Sequence, residues 1–402
     1  MSVTAPAGFL AAGGTAGLKP SGRSDLALVV NTGPQFHAAG VFTTNRVQAA
    51  PVLWSRQVLG DGRLQAVILN SGGANACTGR AGFGDTHRTA ELVAAALQAS
   101  GRDVGPIDVA VCSTGLIGVR LPMDRIGAGI EQLVPALSRD GGKAAAEAIM
   151  TTDTVPKQAV YEGDGWRIGG MAKGAAMLAP GLATMLVLIT TDAVLDPGGS
   201  GGASPLTGRV PGDIHDHLAD ACQLSFERVD SDGCMSTNDT VLLLSSGASG
   251  VAPSADDFTH GLTTVCLELA LAMIADAEGA NHDVAITVRN AASEEDAVQV
   301  GRSIARSNLL KCAIFGRDPN WGRVLAAIGT TSATFEPDEL DVEFNGVQVC
   351  RAGAIGDSRD LVDLGGRAVQ VGVDLHAGPA SATIWTNDLT YGYVELNAEY
   401  ST

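Results

Sequence analysis

The stretch from Lys173 to Asp192 constrains this chain more than any other, because its two halves make opposite demands on the backbone. The first half carries Gly174, Ala175, Ala176, Pro180 and Gly181, small or turn-forming residues that let the chain bend. The second, Met185 to Thr190, is apolar and partly β-branched, which reads as a buried strand. Thr184 stands at the seam, directly after Ala183. A hydroxyl behind a tight Pro-Gly turn can attack the carbonyl that precedes it. An N→O acyl shift followed by hydrolysis would cut the Ala183–Thr184 bond. Thr184 would then carry a free α-amino group beside its Oγ, a base and a nucleophile on one residue. The plain alternative is a β-former opening a strand behind a small-residue loop.

Size and composition bound the rest. A chain of 402 residues is long enough for one large or two medium domains with a sizeable core. Apolar residues at 45% and charged residues at 17% describe a compact soluble fold, and 51 glycines with 4% aromatics imply a core of Ala, Val, Leu and Ile joined by tight turns. The net charge of −18, unrelieved by any long basic run, argues against nucleic acid and anionic membranes as partners. Cysteines at 77, 112, 222, 234, 266, 312 and 350 form no Cys-x-x-Cys pair and read as small core residues in a reducing compartment. No basic segment leading into an apolar block opens the chain, so no signal peptide is expected. No run of about 18 uninterrupted apolar residues occurs, so no membrane span is expected either. The expected location is cytoplasmic.

Taken in order, Gly8 to Lys19 is glycine-rich but neither follows a strand nor opens a helix, which excludes a dinucleotide fingerprint. Strands are predicted at Leu26 to Asn31, Ala39 to Asn45, Leu64 to Asn70 and Ile107 to Cys112. Asp85 is expected to cap a helix through Ser100, with Gly101 as its stop. Helices are predicted from Asp124 to Leu137, broken by Pro135, and from Ala144 to Met150. Ser113-Thr-Gly115 ends a strand with a hydroxyl and a backbone N–H beside a glycine, which suits an oxyanion, although a Thr-Gly pair taken alone is far more often a turn. Residues 196–213 form a Gly/Ser/Pro-rich linker, expected to be a mobile surface loop. His215 and His217 lie two apart on a helix and do not share a face. Asp230 to Thr240 gathers three carboxylates without the spacing of a calcium loop, and reads as a turn entering a strand. Ser254 with Asp257 forms a capping box for a helix whose face is Phe258, Leu262, Val265, Leu269 and Met273. That helix is expected to stop at Gly279, with Asp276 and Glu278 in its last turn, the wrong sign for the helix dipole. A second capped helix spans Ser293 to Ser307. From Leu340 the pattern alternates as antiparallel strands, with a strand expected almost to the last residue.

Several of these segments together resemble the ornithine acetyltransferases, or bifunctional glutamate N-acetyltransferases, of arginine biosynthesis. The resemblance is carried by Lys173-Gly-Ala-Ala-Met-Leu-Ala-Pro-Gly-Leu-Ala-Thr-Met-Leu186, Gly40-Val-Phe-Thr-Thr-Asn45, Cys112-Ser-Thr-Gly115, Ser236-Thr-Asn-Asp-Thr240, Asp318-Pro-Asn-Trp-Gly-Arg323 and Asn397-Ala-Glu-Tyr400. The loop after Asn70 departs from the family at Gly73, where the family has Asn. The resemblance implies an α/β self-processing fold with β-sheets packed between helices, αββα-like, in the style of N-terminal nucleophile enzymes. It implies cleavage between Ala183 and Thr184 into an α chain, 1–183, and a β chain, 184–402, which assemble as a heterotetramer of two each. It implies Thr184 as nucleophile, Thr114 and Gly115 as oxyanion hole, and Thr151, Lys173, Thr184, Glu278, Asn397 and Thr402 as substrate-binding residues. The implied substrates are N2-acetyl-L-ornithine and L-glutamate, with no metal and no organic cofactor. Acetyl-CoA as a second acetyl donor stays open. A related self-processing aminopeptidase or amidohydrolase would use the same nucleophile, and a non-enzymatic metabolite-binding protein would leave the chain uncut.

Overall fold

Buried apolar strands set the architecture. The structure, a computed structural model, describes residues 2–179, 185–195 and 213–399. Its elements begin with β1 (Phe9–Gly14), β2 (Leu26–Asn31), β3 (His37–Phe42), α1 (Ala50–Val58), β4 (Ala66–Asn70), α2 (Gly79–Ala99), β5 (Val109–Ser113), α3 (Met123–Ala136), α4 (Gly142–Ala148), β6 (Lys157–Glu162) and β7 (Arg167–Lys173). After the central segment come β8 (Leu186–Thr191), α5 (Ile214–Leu224), β9 (Thr240–Ser245), α6 (Ala255–Ala275), β10 (Asp283–Ala291), α7 (Glu294–Ala305), α8 (Asn308–Phe315) and α9 (Trp321–Ile328). The chain closes with β11 (Asp341–Phe344), β12 (Val347–Arg351), β13 (Ala354–Ile355), β14 (Ala368–Asp374), β15 (Ala380–Asn387) and α10 (Tyr391–Glu399).

The first sheet has the order β1-β2-β4-β5, the second β3-β9-β8-β7-β6 and the third β13-β12-β11-β14-β10-β15. Strands β2, β4, β8 and β9 are buried along their whole length. That is why they read as continuous apolar runs, since a strand covered on both faces needs no polar side. One core joins the first sheet and helices α2, α3 and α4 to one face of the second sheet, through Met171, Leu186, Leu188, Leu242 and Leu244. The opposite face, with Ile168, Val187, Ile189, Val241 and Leu243, packs on α5 and α6. Alternation along β8 and β9 therefore stacks helices, sheet, sheet and helices in that order. The third sheet forms its own core with α7, α8 and α9. The expected α/β class, with sheets between helices, is the observed one.

The seam lies inside the second sheet. β7 and β8 are antiparallel neighbours, with Lys173 opposite Leu186. Strands β3, β6 and β7 precede the seam and β8 and β9 follow it, so one sheet is woven from both halves of the chain.

Several boundaries differ from expectation. Helix α2 starts at Gly79, and Asp85 sits inside it, buried, where its carboxylate takes Arg120 Nε at 2.8 Å and Nη2 at 2.6 Å instead of capping. Helix α6 ends at Ala275 with Asp276 as C-cap, so Glu278 lies beyond it. The C-terminus is helix α10, not a strand, because the Thr390 hydroxyl accepts the Tyr393 amide at 3.0 Å and starts a helical turn. β10 inserts between β14 and β15 and runs parallel to β14, which breaks the expected antiparallel series. The glycine-rich opening contains β1, and the turn behind it wraps the Asp25 carboxylate with the Ala16 and Lys19 amides at 2.6 and 3.1 Å. Asn320 caps α9 by accepting the Arg323 amide, so the Asp-Pro-Asn-Trp-Gly-Arg string is here a helix start, with Trp321 against the third core.

Other expectations hold. Ser254 and Ser293 cap α6 and α7 through the Asp257 and Asp296 amides. Helix α6 is long and apolar enough to cross a membrane by length and composition. Its predicted face lies in the second core, which accounts for that apolarity. The reading of the cysteines as small core residues holds only in part: Cys112, Cys222, Cys266 and Cys350 are buried, but Cys77, Cys234 and Cys312 are exposed, and all are free thiols. Residues 196–212 of the predicted linker lie outside the described residues.

Helix α4 packs on β1 so closely that a Cβ on Gly13 would stand 2.0 Å from the Ala144 carbonyl oxygen. Backbone cannot move aside as a flexible side chain can. Gly13→Ala is expected to cost about 1–3 kcal/mol of stability, read from the urea unfolding midpoint. A midpoint equal to wild type would refute this packing.

Candidate active site

The site assembles where β5, β7, β8 and β9 end or begin near one another. β4 and β5 are parallel, with Asn70 opposite Ser113. Just beyond, the Thr114 amide donates to the Asn70 carbonyl at 3.0 Å, and the Thr114 carbonyl accepts the Gly73 amide at 3.0 Å. Gly115 has φ +127°, and a Cβ there would meet Gly73 N at 2.8 Å, so only glycine fits. The Gly73 departure from the family pattern thus leaves a backbone contact in place of a side chain. Asn238 Nδ2 ties the two loops together, donating to the Ala74 carbonyl at 2.7 Å and the Ser113 carbonyl at 2.8 Å.

Lys173, the last residue of β7, is buried and reaches the Thr114 hydroxyl with Nζ at 3.2 Å. Because the hydroxyl oxygen accepts from an ammonium, its own proton is directed elsewhere. Among the described residues neither that proton nor the Gly115 amide has an acceptor. Two donors, side by side and unclaimed, are what an oxyanion requires.

The segment after Lys173 is pinned at successive backbone atoms. Gly174 N–H donates to Asp153 Oδ1 at 2.7 Å. The Ala175 carbonyl accepts the Glu278 amide at 2.8 Å, and the Leu178 carbonyl accepts the Ser231 amide at 2.6 Å. Met177 N–H donates to Asp232 Oδ2 at 2.7 Å. On the far side, Met185 N–H donates to Asp239 Oδ1 at 3.3 Å and the Met185 carbonyl accepts the Thr240 amide at 3.1 Å. Ala183 and Thr184 lie outside the described residues, as does Thr402.

The remaining predicted residues gather on the same segment. Thr151 is half-buried and donates its amide to Asp153 Oδ2 at 2.9 Å, one carboxylate away from Gly174. Glu278 is half-buried, and its Oε2 accepts from Asn397 Nδ2 at 3.0 Å. Thr114, Gly115, Thr151, Lys173, Glu278 and Asn397 are therefore linked around residues 173–175.

Sequence reasoning missed the charges beneath them. Lys157 is buried, with Nζ 2.6 Å from Asp153 Oδ1 and 2.6 Å from Asp276 Oδ2. Asp276 also takes the Thr154 amide at 2.9 Å, which explains a carboxylate of the wrong sign at the end of α6. Burial pushes the Lys173 ammonium below its ordinary pKa, while Asp153 and Asp239 pull the other way. Burial works to raise Asp153, but Lys173, Lys157 and the Thr151 amide outweigh it and hold the carboxyl below its usual range. Burial lifts Asp239 well above that range, against the Met185 amide and Lys173. The aspartates stand in Thr151-Thr-Asp-Thr154 and Ser236-Thr-Asn-Asp-Thr240, polar stretches in which nothing local marks them as buried. Asp230 and Asp232, weighed above as metal ligands, instead hold Arg306 at 2.6 Å and the Met177 amide.

Comparison with known proteins places this chain in a family. Residues 10–402 match the ArgJ family. The chain belongs to the ArgJ family. The "Arginine biosynthesis bifunctional protein ArgJ" of Streptomyces coelicolor is 61% identical over 401 residues, covering 100% of both chains. Its namesake in Thermobifida fusca is 56% identical over 402 residues, again covering 100% of both. A solved ornithine acetyltransferase from Mycobacterium tuberculosis, complexed with ornithine, is 63% identical over 46% of this chain and 96% of its own, with a TM-score of 0.44.

Removing the Lys157 ammonium leaves two carboxylates facing each other in a buried setting. Lys157→Met is expected to cost about 3–5 kcal/mol near neutral pH. The depressed Asp153 pKa contributes stability that is complete above the unfolded carboxylate pKa and is lost as pH falls through the folded value. The gap between variant and wild type should therefore narrow on acidification. Urea unfolding at neutral and acidic pH checks both parts, and a gap independent of pH would contradict the charge argument.

Proposed function

We propose that this chain is a self-cleaving acetyltransferase of arginine biosynthesis, moving an acetyl group from N2-acetyl-L-ornithine to L-glutamate. Family membership supports the pathway, and close relatives over their full length are named as bifunctional proteins of arginine biosynthesis. The observation that carries the chemistry is the pair of donors at Thr114 and Gly115, unclaimed among the described residues, set beside Lys173 and the pinned flanks of the segment that holds Thr184.

In the cutting step, Thr184 Oγ adds to the Ala183 carbonyl carbon, the C–N bond breaks, and the nitrogen gains the proton that Oγ gives up. Water then hydrolyses the ester, leaving a carboxyl on Ala183 and a free amine on Thr184. In turnover, Oγ attacks the acetyl carbonyl of acetylornithine while the α-amine takes the Oγ proton. A terminal amine with a pKa of roughly 7.7–8.0 suits this near neutral pH. The Thr114 hydroxyl and Gly115 amide stabilise the oxyanion, ornithine leaves with the proton, and acetyl stays as the Thr184 ester. The α-amine of glutamate then attacks that ester, the Oγ–acyl bond breaks, a proton from the amine returns to Thr184 Oγ, and N-acetylglutamate departs. The ester itself stores the acetyl group, so the reaction as written calls for no metal or organic cofactor.

Glu278 pairs with the ornithine side-chain ammonium, and Lys173 with a substrate carboxylate, within a pocket that Thr151, Asn397 and Thr402 complete. The bifunctional names of the relatives favour acetyl-CoA as a second donor to glutamate. Chains 1–183 and 184–402 stay together as a cytoplasmic heterotetramer of two each.

Intact mass under denaturing conditions tests the central claim: two polypeptides are expected, the second beginning at Thr184. Thr184→Ala should remain one chain and lose transfer, and a wild-type rate in that variant would end the proposal. A hydrogen bond to a charged group is worth about 1.5–3 kcal/mol. Glu278→Gln should accordingly raise the acetylornithine KM about 10- to 100-fold, and an unchanged KM would remove Glu278 from the ammonium.

A further inference from the structure

The glycine-rich opening leads into two cations that the reaction as written above does not use, Lys19 and Arg23. The turn between them is tied to the site. Asp25 accepts the Leu18 amide at 2.5 Å and the Lys19 amide at 3.1 Å. The Gly22 amide donates to the Lys19 carbonyl at 3.1 Å, and Gly22 has φ +70°, so the chain turns back and brings Arg23 alongside Lys19. Leu18 packs on the loop bonded to Thr114. A Cβ on Gly72 would stand 2.1 Å from Leu18 Cβ, and the following amide, that of Gly73, donates to the Thr114 carbonyl.

Both cations reach the loop that holds Thr151. Lys19 is half-buried, and its Nζ donates to the Met150 carbonyl at 2.7 Å and the Ser24 carbonyl at 2.8 Å. An ammonium has three donors, and the third has no acceptor among the described residues. Arg23 is exposed and touches the Thr151 carbonyl through Nη2 at 3.4 Å and Ser21 Oγ through Nε at 3.5 Å, long contacts that leave most of its donors open. The carboxylates near Lys19 are already engaged, Asp25 by backbone amides and Asp153 by Lys157 and the Gly174 amide. Burial and the neighbouring Arg23 push the Lys19 ammonium pKa down to about 8, against the pull of Asp25 and Asp153. A bound anion would offset that crowding of like charge.

The two amino acids of the proposed reaction are alike at the α-carbon, where each carries a nitrogen and a carboxylate. They are opposite at the far end, where ornithine has an ammonium and glutamate a second carboxylate. Glu278 suits the first and repels the second. Lys173 is a charged neighbour of Lys19 and of Glu278 alike. An α-carboxylate held at Lys173 therefore leaves the side chain a choice between an acidic group and a cationic pair. We propose that Lys19 and Arg23 form the subsite for the side-chain carboxylate of the incoming glutamate, so that the two substrates share one α-carbon position and part at their far ends. This rests on the reading of the chain as an acetylornithine–glutamate acetyltransferase. The Arg23 fork matches a carboxylate, and Lys19 adds its third donor. In a chain of net charge −18, such a local cationic pair also draws in an acceptor that the rest of the surface repels.

Steady-state kinetics of the purified full-length protein test this, because in a double displacement kcat/KM for each substrate reports its own half-reaction. Arg23→Gln removes an exposed guanidinium. Its kcat/KM for L-glutamate is expected to fall about 10-fold, as on loss of one charge-assisted hydrogen bond, while kcat/KM for N2-acetyl-L-ornithine stays at the wild-type value. The preference for L-glutamate over L-glutamine, which has an amide in place of that carboxylate, should shrink by the same factor. Lys19→Met should lower the ratio of the glutamate to the acetylornithine kcat/KM in the same direction, and Lys19→Arg, which keeps the charge, should bring it back. A variant that folds in part loses both values in proportion, so the ratio reads the subsite and not the fold. Should Lys19→Met not fold at all, Arg23→Gln decides alone. Equal losses for both substrates, or a wild-type ratio in Arg23→Gln, overturn the assignment. Wild-type protein that passes no acetyl group from acetylornithine to glutamate fails the reading of the function, and the subsite with it. Wild-type transfer with a wild-type ratio in Arg23→Gln fails the subsite alone.

Discussion

The Lys157 ammonium, closed between Asp153 and Asp276, is the interaction on which the site depends. Taking such charges out of water costs several kcal/mol per ion, and their attraction returns that cost only when geometry is good and the other lone pairs are filled. Here they are filled by backbone. Asp153 takes the Thr151 and Gly174 amides, and Asp276 takes the Thr154 amide. The network is therefore less a source of stability than a way of fixing three segments at one point: the loop before β6, the end of β7 and the end of α6. Glu278 follows two residues after Asp276, and Lys173 directly precedes Gly174, so fixing the network also fixes both groups proposed to meet substrate.

The second sheet shows how the segment would stay held after the proposed cut. β7 pairs with β6 and β8, and β8 pairs with β7 and β9, so each strand flanking the seam has two neighbours of its own. A break between them removes no ladder bond, and the buried alternation of β8 keeps it bound to both cores. The anchors on the segment act mainly on backbone amides and carbonyls. That choice leaves the backbone, not a rotamer, to set the geometry.

What was legible in the sequence follows from range. Strands β2 and β8 and helices α6 and α7 declare themselves locally, by unbroken apolar runs and by Ser254 and Ser293 as caps. Thr390 is an equally local cap signal, hidden within the alternating pattern that runs on from Leu340. Asp85 was misread because its partner, Arg120, is 35 residues away. At the site, resemblance named Thr114, Gly115, Lys173 and Glu278, and the fold brings them together. Asp153, Lys157 and Asp239 were not legible, because a buried carboxylate or ammonium in a polar stretch looks like a solvated one until its partners are known.

The two sides of the site are held differently, and a double-displacement reaction gives that difference meaning. Thr114 and Asp239 are buried at the ends of fully buried strands, and Lys173 is buried at the end of β7. The side carrying Glu278 is completed by α10, a helix with no buried residue. That helix is held by Thr390 Oγ1 on the Gly279 carbonyl at 2.6 Å, by Asn397 on Glu278 and by the Phe315–Tyr391 ring contact. Elements with few buried contacts open at low free-energy cost, while core strands open only with the whole fold. The proposed chemistry asks for both properties. The oxyanion donors and the terminal amine must not move between the two acyl transfers, yet one amino acid must leave and another enter in that interval. A rigid reacting side facing a lightly held substrate side meets both demands without any rearrangement of the sheets.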